Sequence, residues 1–215
     1  MDPSQLTALI LAGGQSQRMG TDKALLPLGG VPLIQNLGTL AQGCCGTVAV
    51  VTPWGDRYQP WLPAGCQLWP EAPAPWASNH RSSGPLWGFA QGLGRVTTPW
   101  VLLLACDLPR LNAATLQGWL PQLSHLPPNT LALLPPHPKG WDPLCGFYHR
   151  RCQESLGEFL GGGGRSFQPW LRHPPLLSHV APLTVTDRSV LWNCNTPEDW
   201  QTLTAIDQEQ HSPRS

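Results

Sequence analysis

The chain has 215 residues, with 13 Lys plus Arg against 13 Asp plus Glu, and charged residues make up only 12% of it, about half the usual share. That length suits one domain able to bury a core. The zero net charge excludes a nucleic-acid binder working through bulk electrostatics, and 41% hydrophobic residues with 11 Trp exclude a charged disordered tail.

The first five residues carry no positive charge, and the apolar run 6–12 is too short for a secretory signal core. Nothing approaches the roughly 18 consecutive apolar residues of a membrane span. The expected location is the cytoplasm, with no membrane partner. The seven Cys form no Cys-x-x-Cys pair and match no clustered His, so they read as buried free thiols of a reducing compartment.

Residues 6–11 read as a buried strand that feeds directly into Gly13 and Gly14. A loop follows to about Lys23. Pro32 then opens a helix, with Leu33, Ile34, Leu37, Leu40 and Ala41 at helical spacing and Gly43 as the stop. Residues 47–52 form a β-branched strand, and 66–69 a shorter one. Residues 70–83, rich in Pro, Ala and Ser, read as a long surface loop. A helix over 85–93 begins at Gly84-Pro85. The run 100–105 is too continuously apolar to have a wet face, so it reads as a central strand, and it ends in Cys106-Asp107-Leu108-Pro109.

Asn112 caps a helix expected to run to about residue 123. Strands follow over 130–134 and 144–148, then a helix over 151–160, stopped by the glycines 161–164, and a short helix over 165–171. Residues 185–192 read as an edge element of the sheet. Thr196 and Pro197 fit the N-cap and first position of a last helix. The domain is expected to span 1–206, with 207–215 as a frayed tail. Strands alternating with helices imply an α/β fold with a mostly parallel central sheet and right-handed crossovers. Chemistry in such sheets lies beyond the carboxyl ends of the strands.

The strongest signal is the stretch LAGGQSQRMGTDK, residues 11–23. Glycines there let backbone N–H groups close on a phosphate. Arg18 adds a planar fork for phosphate oxygens, and Lys23 a compact point charge. The spacing fits neither G-x-G-x-x-G nor the Walker pattern, and a plain strand-to-helix turn would not need both cations. Asp107, at a strand's carboxyl end and followed by Leu108 and Pro109, has the position of a hard-cation ligand; the plainer reading is a cap or turn former.

The string LAGGQSQRMGTDKALLPLGGVPLI resembles the N-terminal signature of the nucleotidyltransferases that make activated cofactors and sugars, and within them the molybdenum cofactor guanylyltransferase (MobA) family. Later blocks continue the resemblance in the family's order: GPLWG at 84–88, ACDLP at 105–109, PLCGFY at 143–148 and NCNTPED at 193–199. Together they span about residues 6–203. The resemblance implies a Rossmann-like three-layer nucleotidyltransferase fold that binds GTP and Mg²⁺. It implies nucleotide contacts from Leu11, Ala12, Gly13, Gly14, Glu71 and Gly84, triphosphate binding by Arg18 and Lys23, and Mg²⁺ on Asp107. It also implies GMP transfer to the terminal phosphate of molybdopterin, with pyrophosphate leaving, and delivery to other cofactor-biosynthesis or molybdoenzyme chaperone proteins.

By the same resemblance Asn193 and Asn195 face the pterin; a plain helix cap accounts for Thr196 and Pro197 but not for them. Arg165, after the four glycines, is a second anion contact for the pterin phosphate, or simply part of a helix stop. Trp69, Trp76 and Trp87 either stack on a base or pterin or pack against the protein. Two positions depart from the family: Thr52 ends a strand where relatives can carry Asn, and Glu71 stands where Asp is common. The alternatives are a cytidylyl- or sugar-phosphate nucleotidyltransferase of the same fold, and a nucleotide-binding adaptor without turnover.

Overall fold

In the computed structural model, which describes residues 1–13, 21–76 and 83–211, the first apolar run forms β1 (Leu6–Leu11), buried along its whole length. After the glycine loop, β2 (Pro27–Leu28) and β3 (Val31–Pro32) make a two-residue hairpin. Its turn residues Gly29 and Gly30 both have positive φ, the backbone that tight hairpins demand. Then come α1 (Leu33–Gln42), β4 (Thr47–Thr52), the single turn α2 (Gly55–Tyr58) and β5 (Gln67–Pro70). Next are α3 (Pro85–Leu93), β6 (Trp100–Ala105), α4 (Ala113–Trp119), β7 (Ala132–Leu134) and the small hairpin β8 (Pro136–His137) with β9 (Gly140–Trp141). The chain closes with β10 (Cys145–His149), α5 (Cys152–Gly161), α6 (Phe167–Leu171), β11 (Val180–Pro182) and α7 (Pro197–His211).

The main sheet has the order β11-β7-β10-β6-β1-β4-β5. Every neighbouring pair is parallel except the two made by β10, which runs against β6 and β7. This is the expected mostly parallel sheet. Alternation along β1 divides the core. Leu6, Ala8 and Ile10 face α1 and α4 together with Val48, Val50, Leu102 and Leu104. Leu9 and Leu11 face α3, α5 and α6 with Val51, Leu103, Phe89 and Trp170. Helices on both faces complete three layers.

Register sets the site. Leu11 pairs with Val51 on one side and Ala105 on the other, and Val51 pairs with Trp69. The carboxyl ends of β1, β4, β5 and β6 therefore finish level. After β1 the chain builds β4 and β5 on one side before crossing to β6 on the other, so the crevice falls where the order reverses.

Two expectations need correction. Residues 185–192 are not a sheet edge: Asp187 caps a 3₁₀ turn over Arg188–Leu191, its Oδ1 accepting from Ser189 N–H at 2.9 Å. The edge strand is β11, parallel to β7. The helix capped by Asn112 gives way after Trp119 to a 3₁₀ stretch, Leu120–His125, because Pro121 supplies no N–H to an α-helical ladder. The backbone of α7 runs to His211. Among the described residues no helix is long and apolar enough to cross a membrane, and all seven Cys are free thiols.

Candidate active site

A cavity of about 220 Å³ opens at the level strand ends. Leu11, Ala12 and Gly13 line it from the end of β1 and just beyond, Glu71 from just past β5, Gly84 and Gly88 from the cap and first turns of α3, and Cys106 and Asp107 from just past β6; Lys23 and Asp22 close it. Residues far apart in sequence thus meet in one cleft. Gly14 and Arg18 lie outside the described residues.

Backbone pairing holds the first wall. Ala12 N–H donates to Val51 O at 3.1 Å, and Thr52, fully buried, donates its hydroxyl to Ala12 O at 2.7 Å. Trp54 N–H donates back to the same hydroxyl at 3.1 Å. Thr52 is therefore committed to anchoring the β1 exit rather than reaching a ligand. Glu71 N–H donates to Thr52 O at 2.9 Å, which brings its carboxylate under α3. The close approach depends on Gly88, where a Cβ would stand 3.1 Å from Glu71 Oε2. Burial lifts the Glu71 carboxyl to about 7, with a hydrogen bond from the Ser83 backbone pulling the other way. Gly84 caps α3 at φ +89°, a conformation open to glycine. The helix thereby presents its positive end to the cleft.

Lys23 begins a 3₁₀ turn whose cap is Asp22. Asp22 Oδ1 accepts from Ala24 N–H at 3.1 Å, while Oδ2 accepts from Tyr58 Oη at 2.8 Å and from Arg57 at 2.9 Å. The exit of the glycine loop is thus fastened to the buried Tyr58 of α2. Lys23 Nζ reaches Asn195 Oδ1 at 2.7 Å.

Asp107 is half-buried, and burial pushes its carboxyl above the usual range while the charge of Lys23 draws it down. Burial, helped by the Asp107 charge, pushes the neighbouring Cys106 thiol up to about 12, so it stays neutral and is no nucleophile. Asp107 O accepts from Cys194 N–H at 3.0 Å. With the Cys194 side chain buried, the two flanking asparagines part company. Asn195 meets Lys23, and Asn193 lines a second, smaller cavity beside the first, which also includes Asp107 and Leu144. Asp199 Oδ2 accepts from the backbone N–H of Asn195 and Thr196, and Thr196 Oγ1 accepts from Asp199 N–H. This reciprocal cap fixes the NCN segment in place.

The side chains of the remaining candidates are engaged with other parts of the protein. Arg165 donates to Leu160 O at 2.9 Å and Gly164 O at 2.6 Å, at the end of α5. Its guanidinium sits 3.5 Å from the centroid of Trp76. It lines neither cavity. Trp76 packs edge-on against Trp87 at 4.9 Å, Trp87 donates to Ala72 O, and Trp69 donates to Gln67. Trp76 and Trp87 pack on one another, with Trp87 tied to the 71–76 segment, while Arg95 lies over Trp69.

Sequence reasoning missed Asp22, Tyr58 and Thr52 as supports, and Asp142 and Leu144 as lining residues. Asp22 carried a signal, an Asp directly before a short turn; Tyr58 carried none.

Among the described residues no group of three or more His, Cys, Asp or Glu could hold a metal ion. Asp107 alone still fits Mg²⁺, which binds through one or two carboxylates together with substrate phosphates. The charge of Lys23 opposes the effect of burial on Asp107 and favours its ionised form, the form a cation needs.

The description "MobA-like NTP transferase domain" matches residues 8–176. A probable molybdenum cofactor guanylyltransferase from Nostoc sp. is 51% identical over 196 residues, covering 91% of this chain and 89% of the relative. One from Synechococcus elongatus is 43% identical, covering 91% and 96%. Among solved structures, molybdopterin-guanine dinucleotide biosynthesis protein A from Archaeoglobus fulgidus superposes with a TM-score of 0.69 at 19% identity, over 94% of this chain and 99% of that one. The 2-C-methyl-D-erythritol 4-phosphate cytidylyltransferase of Thermus thermophilus gives 0.66 at 15% identity, over 97% and 100%. The likeness to the two solved structures is one of fold.

Proposed function

The chain belongs to the MobA-like NTP transferase family and is a nucleotidyltransferase, and from that premise we propose that it transfers GMP from GTP to molybdenum-molybdopterin. The products are molybdopterin guanine dinucleotide and pyrophosphate. The observation that carries this most is one juxtaposition: Lys23, Asp107 and Glu71 line a single cleft at the strand ends, with Asn195 bonded to Lys23 at its side. The names of the relatives, guanylyltransferases at 43–51% identity, support the same assignment.

In the reaction an oxygen of the acceptor's terminal phosphate attacks the α-phosphorus of GTP, and the bond to the bridging oxygen of the β-phosphate breaks. That phosphate is ionised at neutral pH, so no side chain has to remove a proton, and positioning and charge neutralisation do the catalysis. Lys23 meets the negative charge that gathers on the departing pyrophosphate, and Arg18, from the glycine loop, is assigned to the same task. Asp107 would hold Mg²⁺, which when bound supplies charge neutralisation on the phosphates. The backbone of Leu11, Ala12 and Gly13 lines the cleft wall along which the nucleotide would lie, and the start of α3 from Gly84 turns its positive end toward the phosphates. Asn195 keeps Lys23 oriented.

Glu71 favours guanine. Guanine offers two adjacent donors, N1–H and the 2-amino group, to the two oxygens of a carboxylate. Cytosine places an acceptor, N3, where the second donor would be. The test is dinucleotide and pyrophosphate formation from GTP and molybdopterin with Mg²⁺. Turnover should be lost in Asp107→Ala and Lys23→Ala; unchanged pyrophosphate release in both variants refutes the assignment.

A further inference from the structure

We infer that the second cavity receives the pterin ring of the acceptor and that Asp142 reads the ring's amino–lactam edge. This rests on the proposed guanylyl transfer and names a subsite for its second substrate. Asp107 lines both cavities, so a ligand in the second one abuts the carboxylate at which the two substrates must meet. Leu108, Pro143 and Leu191 give the second cavity apolar walls, and Asp142 and Asn193 give it polar groups. Apolar walls with a few placed polar groups suit a flat heterocycle.

Asp142 is held for this role. Its backbone N–H donates to Pro135 O at 2.9 Å, and its carboxylate, with 28% of the side chain exposed, binds Arg188 through Oδ2 at 3.2 Å. Arg188 starts the capped 3₁₀ turn that ends in Leu191 of the cavity wall. The pterin edge carries N3–H beside a 2-amino group, the same adjacent donor pair as guanine. Two carboxylates, Glu71 in one cavity and Asp142 in the other, would then read the same donor pattern at the two ends of the dinucleotide product.

The test measures molybdopterin affinity for the full chain with Mg²⁺ and a non-hydrolysable GTP analogue. Asp142→Asn presents an amide N–H₂ where an acceptor is needed, and should weaken molybdopterin binding on the order of ten- to a hundred-fold while leaving the analogue's affinity unchanged. Arg188→Ala, which removes the ion pair but keeps the carboxylate, should weaken it much less. Unchanged molybdopterin affinity in Asp142→Asn, an equal loss in Arg188→Ala, or no molybdopterin binding by the unsubstituted protein would overturn the inference. If Asp142→Asn weakens binding as expected but the unsubstituted protein releases no pyrophosphate from GTP, guanylyl transfer fails and the ring site stands.

Discussion

Replacing Glu71 by Gln should stabilise the nucleotide-free protein while weakening its hold on GTP. Burial lifts the Glu71 carboxyl from 4.5 to about 7, so ionising it costs the folded state free energy that the unfolded chain does not spend. At ~1.4 kcal/mol per decade of proton affinity, the full cost is roughly 3 kcal/mol. Water still reaches this half-buried group, so about 1 kcal/mol is the working magnitude. The sign follows from linkage. A carboxyl with a raised folded pKa binds more protons folded than unfolded between pH 4.5 and about 7, so its contribution to stability falls as pH rises through that window. Gln has no charge to desolvate and can still accept from the Ser83 backbone. Thermal unfolding at about pH 8 without nucleotide should show Glu71→Gln melting about 2–4 °C above the unsubstituted protein, with most of the gap gone by about pH 5. With GTP and Mg²⁺ the order should reverse, because the amide offers one acceptor and one donor to two donors on guanine, and the ligand-induced rise shrinks with affinity. A Glu71→Gln protein that melts lower at about pH 8 without nucleotide, or gains as much from GTP, refutes the reasoning.

Two further substitutions probe the supports. Tyr58→Phe keeps the buried ring but removes the 2.8 Å bond to Asp22; kcat/KM for GTP should fall about 5- to 20-fold with unchanged circular dichroism, and an unaltered value would detach Tyr58 from Lys23. Gly92→Ala drives a Cβ to within 2.9 Å of Leu9 Cδ1 and 3.0 Å of Val51 Cγ2, where α3 lies on the sheet, and should cost about 1–3 kcal/mol in denaturant unfolding.

Much of the fold was legible because several apolar runs are bounded by residues that end elements. The limits of β4, β6 and α3 match the sequence expectation to the residue: Thr52 precedes a Pro, Ala105 precedes a half-buried Cys-Asp pair, and Pro85 opens its helix. The edge of the sheet was not legible. β11 has three residues and ends in Pro182, too short for periodicity to register. The apolar Val185, Val190, Leu191 and Trp192 mimicked a strand, while Asp187, as the cap of a 3₁₀ turn, was turning the chain. In the cleft, Lys23 and Asp107 could be named from their side-chain chemistry and position, and Glu71 only through the family resemblance. Thr52 and Tyr58 could not, because their roles arise only when β4 and α2 are packed beside β1 and the glycine loop. The NCN segment was half legible: both asparagines stood out, but their division between two cavities depends on the Cys194–Asp107 backbone bond.

The most direct test of guanylyl transfer is a paired measurement of molybdopterin dinucleotide formed with Mg²⁺ and either GTP or CTP at equal concentration. Glu71 under α3 predicts the guanine dinucleotide with GTP and little product with CTP. A preference for CTP, or no dinucleotide with either nucleotide, would contradict it.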